Sequence, residues 1–121
     1  MKHSEKELLA HLNSREKETL MSTLDIEFIE AKENKLVARM PVSPRVHQPD
    51  GVLHGGATVA LAETVGSVAA FIFLKDPNAE VQIRGIDIAA NHVKGIREGY
   101  VYATATPLHI GRTLQLWNIP V

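Results

Sequence analysis

One acid interrupts a run that otherwise reads as a buried helix. Gly55 to Leu74, GGATVALAETVGSVAAFIFL, contains only Ala, Val, Leu, Ile, Phe, Gly, Thr and Ser apart from Glu63. A helix that is apolar on nearly all sides is normally wrapped by other structure. An ionised carboxylate inside such packing is costly unless it is paired or its pKa rises. Two readings follow. Either Glu63 faces a cavity with chemistry in it, because perturbed carboxylates gather at active sites, or the helix keeps one wet face. In the second case Glu63 snorkels at the surface or pairs with an arginine of a neighbouring subunit.

The rest of the chain narrows the options. Its 121 residues suffice for one domain with one core. The formal net charge of -1 forces no basic face, which argues against a nucleic-acid partner. The absence of cysteine excludes disulfides, thiolate catalysis and Cys-based zinc sites, and fits a reducing cytoplasm. The first residues, MKHSEKELLAHLNSREKETLM, are charged throughout and lack the apolar stretch of a secretory signal. They read as a short amphipathic helix with Leu8, Leu9, Leu12 and Leu20 on one side. The apolar run from Thr64 to Leu74 is too short to span a bilayer, and extending it backwards brings in Glu63. The expectation is a soluble protein with no membrane partner.

Leu24–Ala31 and Lys35–Val42 are rich in strand-forming residues, and Lys32-Glu33-Asn34 between them suits a tight hairpin. The next segment, VSPRVHQPDGVLHGG, holds two prolines, three glycines and two histidines, so it is a loop leading into the helix at about Gly56. Asp76-Pro77-Asn78 stops that helix. Glu80–Val93, Tyr100–Leu108 and Arg112–Val121 are further strand candidates. Tyr100–Leu108 alternates, with Val101, Ala103 and Ala105 on one face and Tyr100, Tyr102, Thr104 and Thr106 on the other. Lys94, Arg97 and Glu98 read as a solvated turn. A sheet can bury one apolar helix only by curling around it. The predicted fold is therefore α+β: one long central helix wrapped by a curved antiparallel sheet, with a short N-terminal helix.

Glu63 and Ser67 are four residues apart and share a helix face. Gly55 and Gly56 stand at the helix start, where free N–H groups and the positive dipole end stabilise an oxyanion. Eight residues separate Gly55 from Glu63, about 12 Å along the axis. That is too far for one small reacting group to touch both, unless the ligand bridges the gap or a second subunit supplies one part. A metal cluster from His47, His54, His92 and His109 is disfavoured, since no pair has i, i+4 spacing and no cysteine assists. Gly55-Gly56 lacks the lysine of a phosphate loop.

The segment HQPDGVLHGGATVALAETVGS, His47 to Ser67, resembles the central motif of hotdog-fold acyl-CoA thioesterases. Within that family it is similar to the branch of phenylacetic-acid-degradation and 1,4-dihydroxy-2-naphthoyl-CoA thioesterases. GIDIAANHVKGIREGYV and PLHIGRTLQLW resemble the same branch, so the likeness runs from about Leu24 to Val121. It implies hydrolysis of an acyl-CoA without a cofactor or metal. Glu63 would be nucleophile or general base, and the Gly55 N–H would polarise the carbonyl. Gln48 would hold the carbonyl or the lytic water, with His54 beside the thioester and Ser67 orienting water. His92 and Arg112 would line the pantetheine arm and nucleotide of CoA. It further implies a homodimer at least, and a homotetramer as in relatives. Those relatives continue beyond the position of Val121, so one C-terminal strand is expected to be missing here.

Two alternatives stay open. A hydratase or dehydratase on the same fold would typically carry a histidine on the helix, where this one has Glu63. A non-catalytic acyl-thioester binding module would not need the carboxylate. Ser67 could simply bond back to the Glu63 carbonyl, and Arg112 could be a solvated turn residue.

Overall fold

The computed structural model describes residues 4–14, 19–73, 95–111 and 115–119. Helix α1 spans Glu5–Asn13. Ser4 caps it, its hydroxyl accepting from the Glu7 N–H at 3.1 Å, and Glu5 and Glu7 complement the positive end of the dipole. A four-residue helix α2, Leu20–Thr23, is capped by Thr19. Strands β1, Glu27–Lys32, and β2, Lys35–Val42, form the expected hairpin. Its turn is Glu33-Asn34, with Asn34 at φ 57°, a left-handed conformation that asparagine tolerates better than most residues. Helix α3 covers Gly55–Ile72, followed by β3, Gly99–Ile110, and β4, Gln115–Asn118. Among the described residues the sheet order is β1-β2-β3-β4, and each neighbouring pair is antiparallel. The candidate strand at 80–93, and with it His92, lies outside the described residues, as does Arg112.

The core forms where α3 lies on the sheet. Leu61, Val65 and Ala69 are fully buried at four-residue intervals, on the stripe that a helix repeats every turn. They join a cluster with Phe28, Leu36, Ala38, Met40, Ala103 and Ala105. The three sheet alanines let the helix come close. Ala103 and Ala105 face inward at no exposure while Tyr100 and Tyr102 are 45% and 47% exposed, as the alternation predicts. By length and composition α3 could cross a membrane, but this stripe on the sheet marks it as the central helix of the domain.

Its other side differs from the reading of a helix apolar and enclosed all round. Glu63 is exposed and Phe71 is 57% exposed. Within one chain α3 therefore has one sheet-covered face and one open face. The carboxylate sits on the open one.

The outer edge of β1 is closed by side chains of α1. The Asn13 amide donates to the Phe28 carbonyl at 2.9 Å and accepts from the Phe28 N–H at 2.8 Å, as a neighbouring strand would. Glu5 accepts from the Ala31 N–H at 2.9 Å and pairs with Lys32 at 2.8 Å. The Lys32 hydrogen bond, then the Ala31 N–H, holds the Glu5 carboxyl below its ordinary range. Covering an edge in this way prevents strand addition by other chains.

Candidate active site

The loop before α3 is a miniature hairpin. The His54 N–H donates to the Val46 carbonyl, and the Gln48 N–H to the Val52 carbonyl, both at 2.8 Å. His47 and Leu53 form a bridge between them. The tip turns at Gly51, whose φ of 81° is the left-handed conformation that glycine takes without a Cβ clash. This folding delivers three predicted site residues to one place. His54 becomes the N-cap of α3, Gly55 its first residue, and Gln48 lies on the opposite arm of the hairpin.

Each presents a definite group. His54 Nδ1 accepts from the Gly56 N–H at 2.7 Å, which puts the proton of the neutral ring on Nε2. A Cβ on Gly56 would stand 2.9 Å from the imidazole, so only glycine allows this cap without displacing it. Gln48 turns its side-chain oxygen onto the Asp50 N–H, which commits the oxygen as acceptor and leaves the amide nitrogen to donate. Among the described residues no group accepts from the Gly55 N–H. Gln48, His54 and Gly55 together make a donor-rich end at the positive pole of α3.

Glu63 and Ser67 lie elsewhere. They share a face of α3, with Ser67 half-buried and Glu63 exposed, and begin about 12 Å along the axis from Gly55. The site predicted from sequence thus splits in one chain into a donor end and an acid–hydroxyl pair. Among the described residues no group of His, Asp or Glu is arranged to hold a metal.

Two contacts join the loop to a turn distant in sequence. His47 Nε2 lies 2.8 Å from the Arg97 carbonyl. Arg97, read as part of a solvated turn, is exposed but reaches the Gly51 carbonyl at 3.3 Å. The proximity of a loop histidine to a turn fifty residues later leaves no local sequence signal.

With this geometry in place, comparison with known proteins is decisive. A family model described as the thioesterase superfamily matches residues 50–121. The chain belongs to the thioesterase superfamily. Within it, a Vibrio cholerae relative provisionally named an esterase is 49% identical over 110 residues, covering 91% of this chain and 71% of that protein. The 1,4-dihydroxy-2-naphthoyl-CoA hydrolase of Escherichia coli K12 is 42% identical over 113 residues, covering 93% and 81%. A crystal structure of a glutamine-to-alanine mutant thioesterase from Pseudomonas aeruginosa superposes with a TM-score of 0.86 at 40% identity, covering 92% and 78%. The hotdog fold and the thioester-hydrolase activity expected from the resemblance are both borne out.

Proposed function

We propose that this thioesterase hydrolyses an aryl- or medium-sized acyl-CoA to the carboxylic acid and free CoA, at a site shared between two copies of the chain. The observation that carries the reading is the split site: a helix end rich in donors, and an acid two turns away on an open helix face. A second copy laid antiparallel against that face would bring its Gln48, His54 and Gly55 to Glu63. The Gly55 N–H and the Gln48 amide N–H would then donate hydrogen bonds to the thioester oxygen as charge develops on it. Glu63 either attacks the carbonyl carbon, expelling CoA thiolate and leaving an acyl anhydride for water to open, or removes a proton from water as that water attacks, after which the C–S bond breaks and the departing CoA thiolate takes the proton. Ser67, one turn beyond, orients the water. His54 offers Nε2–H beside the thioester.

The acyl-CoA substrate follows the E. coli relative, whose name specifies an aryl-CoA. His92 and Arg112 are assigned to the pantetheine arm and nucleotide on the resemblance alone. A homodimer at least, a tetramer as the fuller assembly, and a cytoplasmic location complete the proposal. Hydrolysis of a panel of acyl-CoAs, followed by detection of free thiol, tests it. Turnover of aryl or medium-chain members is expected, and no turnover of any member would refute it.

A further inference from the structure

The loop that carries Gln48 and His54 is not held by its own turn alone. The Leu53 N–H donates to the Ile96 carbonyl at 2.8 Å, which ties the segment 95–97 to the hairpin. His47 is half-buried, and its Nε2 meets the next carbonyl, that of Arg97, at 2.8 Å. In return the Arg97 guanidinium reaches back to the Gly51 carbonyl at the loop tip. A Cβ on Gly51 would stand 3.1 Å from that guanidinium, and one on Gly95 would stand 3.3 Å from Val52. Both glycines therefore admit the close approach of the two segments. Residues 95–97 lead directly into β3, which pairs with β2 over seven residues from Leu36↔Ala105 to Val42↔Gly99. The loop is thereby referenced to the most firmly paired part of the sheet.

We propose that His47 and Arg97 are positioning residues, a two-way clasp that sets where Gln48 and His54 stand. The inference rests on the thioesterase reading for its catalytic meaning. Consecutive residues of an extended arm point to opposite sides. With His47 drawn onto the Arg97 carbonyl, Gln48 is turned to the other side of the arm, where its oxygen meets the Asp50 N–H. His54 follows because its N–H and the Leu53 N–H belong to the same arm, one bonded inward to Val46 and the other outward to Ile96. Release of the clasp would let both donors drift relative to Gly55. Misplacement by about 1 Å can cost up to ~10²-fold in rate.

The variants His47→Ala, His47→Gln, Arg97→Ala and Arg97→Lys test this, each measured in two ways. The first is amide hydrogen exchange at Leu53, which reports the clasp whether or not the enzyme turns over. Loss of one hydrogen bond of ordinary strength should speed it roughly five- to tenfold in His47→Ala, with exchange in the middle of α3 unchanged. The second is steady-state hydrolysis of the best acyl-CoA found for the wild type. In His47→Ala kcat should fall about tenfold, and His47→Gln, which can still donate to the carbonyl, should recover most of it. Arg97→Ala should show a smaller loss that Arg97→Lys restores. Unchanged Leu53 exchange in His47→Ala overturns the clasp, whatever the activity. Faster exchange with kcat within twofold of wild type overturns the positioning role. A wild type inactive on every acyl-CoA refutes the thioesterase reading and the positioning role with it, while exchange still decides whether the clasp exists.

Discussion

Substitution of Asn13 by alanine tests how the sheet edge is held. The side chain makes two hydrogen bonds to one residue, accepting from the Phe28 N–H and donating to the Phe28 carbonyl, at 2.8 and 2.9 Å. Each is part-buried, and each is expected to contribute about 1 kcal/mol net, so Asn13→Ala should cost about 2 kcal/mol. Alanine is the better helix former, but Asn13 is the last residue of α1 and the offset there is only a few tenths of a kcal/mol. With an unfolding entropy near 2.1 cal/mol/K per residue, 121 residues give ~0.25 kcal/mol per degree, so the midpoint should fall by about 8 °C. Asn13→Asp keeps the acceptor for the N–H but turns an oxygen towards the carbonyl, and should be at least as damaging. Thermal melts followed by circular dichroism at one fixed protein concentration measure both, since any assembly would make Tm concentration-dependent. A drop under 2 °C in Asn13→Ala, or wild-type stability in Asn13→Asp, would show that α1 does not seal the edge.

Three other expectations follow from the same structure. The Glu5 carboxyl is held below its ordinary value of 4.5 and the Lys32 ammonium above its ordinary value of 10.5, each chiefly by its hydrogen bond to the other. Their contribution is therefore present between those values, is lost as pH falls through the lowered Glu5 pKa, and is lost again as pH rises through the raised Lys32 pKa. The melting gap between wild type and Glu5→Gln should close on acidification, and a gap constant from neutral to strongly acidic pH would contradict the assignment. Gly56→Ala should displace His54 from its cap and lower kcat about tenfold with α3 intact; wild-type kcat would mean that the imidazole position is immaterial. Multi-angle light scattering should find a dimer or tetramer, and an active monomer at micromolar concentration would remove the shared site.

Much of the fold can be derived from local pattern. The β1–β2 hairpin follows from its β-rich arms and the Asn34 turn, β3 from the alternation of alanines with tyrosines and threonines, and α3 from its apolar run between the glycines and Asp76-Pro77. Three features depend on distant parts of the chain. Between Phe28 and Glu30 the register slips by one residue, so that Phe28 and Ala31 both face the core; such a bulge has no local signature in FIEA. The edge bonds of Asn13 and Glu5 join residues 15 and 26 positions apart. Glu63 singled itself out by polarity, but its exposure on an open face depends on how much of α3 one sheet can cover. Gln48, His54 and Gly55, which the motif resemblance singled out, lie on the loop and first turn at the start of α3. Arg97 reaches the Gly51 carbonyl, but an exposed basic residue in a turn has the same local sequence whether or not a carbonyl lies within reach.

The central claim is that Glu63 performs the chemistry. Glu63→Gln preserves shape and removes the negative charge that either mechanism needs. Its open position on α3 makes a folding defect an unconvincing explanation for any loss. Steady-state hydrolysis of an acyl-CoA accepted by the wild type should show kcat reduced by at least ~10²-fold, the effect typical of losing a positioned acid–base group, with KM little changed. Activity within a few-fold of wild type would contradict the account and return Glu63 to the role of a solvated helix residue.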